Sequence, residues 1–190
     1  MDDPLLDRHD EALDLFTDRV HAVRADQWGA PTPCAAWSVR DLVNHLTAEQ
    51  LWVPPLVSEG RTMAEVGDAF DGDVLGDDPV AAWDRAAAGA RAAFAERGAS
   101  ERVVGLSYGP TRAGAYCAQM VLDAVVHTWD LSRGIGVNER LPGPLVDFAL
   151  TEVEPYAGAL SASGMFDAPL EPPPDADAQT RLLAMLGRGA

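Results

Sequence analysis

The 190-residue sequence contains no lysine: all 14 basic residues are arginine, set against 30 acidic residues for a net charge of −16. Binding to phosphate backbones or anionic membranes depends on clustered cations, so the charge balance argues against nucleic acid and membrane surfaces as partners. Only two cysteines are present, Cys34 and Cys117, and neither belongs to a CxxC pair. They cannot build a disulfide framework and are read as small core residues in a reducing compartment. No uncharged apolar run approaches the roughly 20 residues of a membrane span, and the acidic start lacks the positive region of a signal peptide, so a cytoplasmic protein is expected. The motifs GxSxG, P-loop, HExxH and GxGxxG are also missing, which removes the common hydrolase, nucleotide-binding and zincin readings.

The chain is 47% hydrophobic and has no repeat or Gly/Ser-rich linker, so a single domain over 1–190 is expected. Leu5, Leu6, His9, Leu13, Phe16, Val20 and Val23 recur at three- and four-residue steps, predicting a first helix from Pro4 to about Arg24. Residues 25–34, with two prolines and a glycine, read as loop. Ser38 is a ready N-cap for a second helix, with Asp41 at the positive end of its dipole and Pro54-Pro55 ending or kinking it. Loop with one short helical turn is expected over 59–78, and then Asp78-Pro79 opens an alanine-rich helix to about Arg97. Residues 102–110 alone have strand character. A fourth long helix is predicted from about Thr111 to Arg133, stopping at Gly134, and a fifth from about Pro144 to Ser161, kinked at Pro155. A short last helix over Ala178–Leu186 closes on Gly187. So much helix implies an all-α bundle with at most a minor strand segment.

The predicted helix over 111–133 carries the most chemical information. At 100° per residue, Tyr116, Gln119, Met120, Asp123, His127 and Asp130 fall in one narrow polar seam on an otherwise apolar helix. Asp123 and His127 are four apart and project from one face, where they could grip an ion or simply hydrogen-bond to each other. His45, where an apolar face meets a polar one bearing Asp41 and Glu49, is either a satisfied core histidine or a third ligand if its helix adjoins the seam. His9 and His21 read as structural or exposed, as do Ser107 and Tyr108 in their turn. Trp37 and Trp129, each beside a histidine-bearing segment, are read as packing residues.

Three stretches, TPCAAWSVRDLVNHL (32–46), QMVLDAVVHTWDLSR (119–133) and DADAQTRLLAMLGR (175–188), together resemble the DinB-like superfamily. Within it they are most similar to the branch of the mycothiol-dependent maleylpyruvate isomerase N-terminal domain and its small uncharacterised relatives. The resemblance implies an up-down-down-up four-helix bundle with a short extra C-terminal helix. It also implies a divalent metal, zinc or nickel, held by His45, Asp123 and His127. The branch usually has glutamate where Asp123 stands, one methylene longer. The family chemistry presents a low-molecular-weight thiol, mycothiol, to a small electrophilic substrate, the metal lowering the thiol pKa. The leading expectation is therefore a metal-dependent thiol transferase or isomerase-like enzyme with catalytic residues unassigned. The alternatives are a metal-binding protein without turnover and a structural bundle that pairs with a second copy as a homodimer.

Overall fold

The computed structural model describes residues 3–34, 36–158, 160 and 166–189. It is mostly helical with one two-stranded sheet, and it divides into two compact units, Met1–Val137 and Asn138–Ala190.

In the first unit, local signals start each long helix. Helix α1 (Pro4–His21) begins with Pro4 in its first turn and Asp3 accepting from the Leu5 N–H at 3.0 Å. Helix α2 (Val39–Val53) opens on a capping box: Ser38 accepts from the Asp41 N–H, and Asp41 accepts in return from the Ser38 N–H at 2.9 Å. Pro54 and Pro55 lack the N–H groups that would continue the ladder, and the chain widens into a π turn over Pro54–Ser58. A single helical turn, α3 (Met63–Val66), interrupts the following loop. Helix α4 (Pro79–Phe94) is capped by Asp78 accepting from the Ala81 N–H at 3.1 Å.

Strands β1 (Val103–Leu106) and β2 (Gly109–Arg112) pair antiparallel, with Val103 opposite Arg112. The second strand takes residues that the sequence pattern assigned to the next helix, which starts at Ala113 rather than Thr111. Helix α5 (Ala113–Ile135) is buried along most of its 23 residues. Its end also differs from expectation. Gly136, at φ +71°, ends it with the Val137 N–H reaching back to the Ser132 carbonyl, and Gly134 lies inside. Helices α1 and α4 each end three residues before the predicted Arg24 and Arg97.

Helix α1 packs against α5 and α4, and α2 packs against α4 and α5. Phe16 and Trp83 meet with ring centroids 4.6 Å apart, and the Trp83 indole N–H donates to Thr17 Oγ1 at 2.8 Å. Each such buried aromatic contributes on the order of 3 kcal/mol of burial, the main reason these faces stay together. Among the described residues, no helix is long and apolar enough to cross a membrane.

In the second unit, α6 (Gly143–Val153) packs on α7 (Ala178–Met185). The predicted helix to Ser161 breaks where the kink was expected: Glu154–Tyr156, with Pro155 at its centre, forms a turn, residues 157, 158 and 160 are helical again, and Ser161 lies outside the described residues. Asp177 caps α7 by accepting from the Thr180 N–H at 2.8 Å, and Gly187 leaves it at φ +80°.

Candidate metal centre

The centre is assembled by α2, α5 and the loop between α1 and α2. Gln27 donates to the Ile135 carbonyl at 2.8 Å, and the Pro31–Ser38 bridge closes the loop onto the start of α2. Gly134 permits this approach, because a Cβ there would lie 3.2 Å from Val39 Cγ2 and 3.3 Å from the Pro31 carbonyl oxygen. The loop thereby brings Cys34 and Trp37 against α5.

His45 from α2 meets Asp123 and His127 from α5. His45 Nε2 lies 3.6 Å from Asp123 Oδ2, and His127 Nε2 lies 3.4 Å from Asp123 Oδ1. These separations are long for direct hydrogen bonds. Each imidazole faces its own oxygen of the Asp123 carboxylate, at separations of the size of a coordination-shell edge, about 3.3–3.6 Å for metal–ligand distances of about 2.0–2.2 Å. One donor atom from each of the three residues lies within 4.8 Å of the others, a spacing one ion could span. His127 is nearly buried at 5% side-chain exposure, whereas His45 and Asp123 keep 30% and 22%, so the group opens on the His45 side. The chemistry of the set, two imidazoles and one carboxylate, fits zinc or a similar divalent ion and leaves coordination positions for a further ligand.

The other nitrogen of His127 is occupied. Its Nδ1 lies 2.9 Å from Oδ2 of the fully buried Asp130, and the Cys34 thiol donates to the same oxygen at 3.3 Å. Carboxylate contact at Nδ1 favours the tautomer with its proton there, leaving Nε2 as the lone pair aimed at Asp123 and His45. The Trp37 indole covers both imidazoles, with centroid distances of 4.7 Å to His45 and 5.9 Å to His127.

Asp123 and His127 each favour the charged form of the other. Burial disfavours charge on Asp123, but the charge and N–H groups of His127 and His45 outweigh it and hold the carboxyl well below the ordinary range. Burial likewise opposes charge on His127, yet Asp123 and Asp130 raise its pKa well above the usual imidazole value. Glu49, one turn past His45, is pushed up by burial and by Asp123.

The three sequence-nominated residues therefore come together, while one other reading needs correction. Cys34 is half-buried beside His127 rather than a core residue; Cys117 does lie in the core, where burial pushes its thiol up to about 12. Trp37 packs as expected, its ring against both histidines. Asp130 stood in the polar seam, three residues from His127, without an assigned role. Nothing in the sequence links Cys34 to a histidine 93 positions away. His9 is buried against Phe94, and His21 is exposed beside Asp84, so neither joins the site.

Beside His45 a cavity of about 480 Å³ opens between α2 and the Phe70–Gly72 segment. The segment is strapped to α2: Asn44 donates to the Gly72 carbonyl and accepts from the Val74 N–H, both at 2.8 Å, and Arg40 holds Asp73 at 2.8 Å.

The family model described as the mycothiol maleylpyruvate isomerase N-terminal domain matches residues 9–132. Two relatives from Mycobacterium tuberculosis, the uncharacterized proteins MT0763 (strain CDC 1551 / Oshkosh) and Rv0738 (strain ATCC 25618 / H37Rv), are each 31% identical over 194 residues. Both alignments cover 98% of this chain and 98% of the relative. No solved structure gives a significant match.

Proposed function

The chain belongs to the mycothiol maleylpyruvate isomerase N-terminal-domain family, a DinB-like family, and on that premise we propose that it binds one divalent ion through His45, Asp123 and His127 to promote thiol chemistry on a small electrophile. In this reading α1, α2, α4 and α5 form the four-helix bundle of the DinB-like fold, with the ion at the α2–α5 contact. The observation that carries it is the spacing of the three donor groups, 3.4 and 3.6 Å from imidazole nitrogen to carboxylate oxygen, with the His127 tautomer set by Asp130.

A bound zinc or nickel ion would lower the pKa of a thiol brought to its open side. The chain's own residues do the rest. His127 and Asp123, fixed on one rigid helix, define the position; His45 completes it from the partly open side. Glu49, one turn past His45 and close enough to feel the charges of all three, is the carboxylate suited to receive the proton of a thiol. Trp37 limits water over the histidines. Mycothiol is the thiol that the family description names.

Metal analysis of untagged protein tests the reading. One equivalent of zinc or nickel is expected per chain, falling below a tenth in His45→Ala and His127→Ala. Full retention of metal at parental affinity in both variants overturns the assignment. Thiol-conjugation assays on the metal-loaded protein then separate an enzyme from a protein that only holds the ion.

A further inference from the structure

The cavity beside His45 says something about what reaches the centre. Two aromatic residues, Trp37 and Phe70, are among those that line it. Trp37 lies over the His45 ring, and Phe70 is held edge-on against Trp52 with centroids 5.2 Å apart. Asp41, Asn44 and Asp71 line the cavity as well. Both Asn44 amide atoms are committed to the strap.

The charge around this opening is one-sided. Among the described residues no arginine lines the cavity itself. Arg40, in the adjoining recess, is committed to Asp73 and to the Gly76 carbonyl. Asp41 spends hydrogen bonds on its helix cap but keeps its charge at the rim, and Asp71 makes no ion pair among the described residues. Ser38 and the neighbouring Arg40 hold Asp41 as the carboxylate, and Asp71 adds a second acidic group to the lining. On a chain of net charge −16, the approach is unfavourable for a carboxylate and favourable for a cation. Trp37 and Phe70, which also line the cavity, are aromatic groups to which a cation is attracted.

We propose that this cavity admits a small ligand bearing an ammonium or related cationic group next to a flat or apolar body, and discriminates against anions such as maleylpyruvate. The inference rests on the proposed function only in taking His45 to face the reacting end of the ligand; the walls and their charge stand without the ion.

Benzylamine and benzoate, equal in ring and opposite in charge, are the probes. Each is titrated calorimetrically into zinc-loaded protein at pH 7 and low salt, with zinc content measured on the same samples. Benzylamine should bind roughly fivefold or more tightly than benzoate, the gap narrowing at high salt. Asp71→Asn should cost benzylamine about threefold, and Trp37→Leu should weaken it further. Benzoate binding as tightly as benzylamine overturns the proposal, as does benzylamine binding unaltered in both variants. A protein that takes up no zinc yet keeps the preference for benzylamine supports the cavity assignment while refuting the metal centre. One that holds zinc in the triad but prefers benzoate does the reverse.

Discussion

Asp130 carries the most informative single perturbation, because its side chain is no proposed ligand itself but contacts one, His127, on the ring nitrogen turned away from the centre. It is fully buried and lies 2.9 Å from His127 Nδ1. Asp130→Asn keeps an acceptor near Nδ1 but removes the negative charge that raises His127 basicity and fixes its tautomer. Outer carboxylates of this type are worth about 10- to 100-fold in metal affinity, or about 1.4 to 2.7 kcal/mol. Asn should fall near the lower end. Asp130→Ala, which leaves the imidazole N–H facing a void and the Cys34 thiol without that oxygen, should fall near the upper end.

The same changes should lower folding stability by about 1.5–3 kcal/mol even without metal, since a buried charge-assisted hydrogen bond is lost. Zinc competition against a chromophoric chelator reads the affinity, and urea unfolding in excess chelator reads the stability. Each variant must be folded by circular dichroism before titration. If Asn and Ala both hold zinc as tightly as the parent, the Asp130 contact does not orient Nε2, and the argument for the His127 tautomer fails.

Three further outcomes are expected. Asp123→Asn should weaken zinc and nickel binding strongly, because a neutral amide cannot offset a dication between two imidazoles, while Asp123→Glu should keep or improve it; Asn binding as tightly as Glu would remove Asp123 from the centre. Burial holds His9 neutral with its pKa lowered to about 4, so the unfolded chain takes up a proton first as pH falls from about 6.5. Stability should thus drop by about 2 kcal/mol between pH 7 and pH 5 through this group, and urea titrations of His9→Leu in chelator should lack that part of the slope. Trp129, 1% exposed with the Arg133 guanidinium 4.2 Å from its ring centre, should cost about 3–5 kcal/mol on truncation to alanine, seen as a fall in Tm of roughly 10 °C; an unchanged Tm would contradict its packing role.

Much of this protein is written locally. Ser38 with Asp41, Asp78 with Pro79, and Asp177 before Ala178 announce helix starts, because a capping side chain and the N–H it satisfies are at most three residues apart. The polar seam on α5 is legible for the same reason: Asp123 and His127 share a face by helical geometry alone. The end of α5 was not, since Gly134 and Gly136 look alike in sequence. Only packing shows that Gly134 makes room for the Pro31 carbonyl while Gly136 supplies the positive φ that ends the helix. Strand β2 was likewise hidden, because Gly109–Arg112 has no pattern of its own and is defined by its partner β1. The centre itself divides along this line. The residue types and their i, i+4 spacing belong to the sequence. The adjacency of α2 and α5, the arrival of Cys34 and Trp37 from a loop 93 and 90 residues away from His127, and the strap that opens a cavity beside His45 belong to the tertiary structure. Contacts across such separations are chosen by which buried faces fit together, and that choice depends on the whole packed set of helices rather than on any one segment.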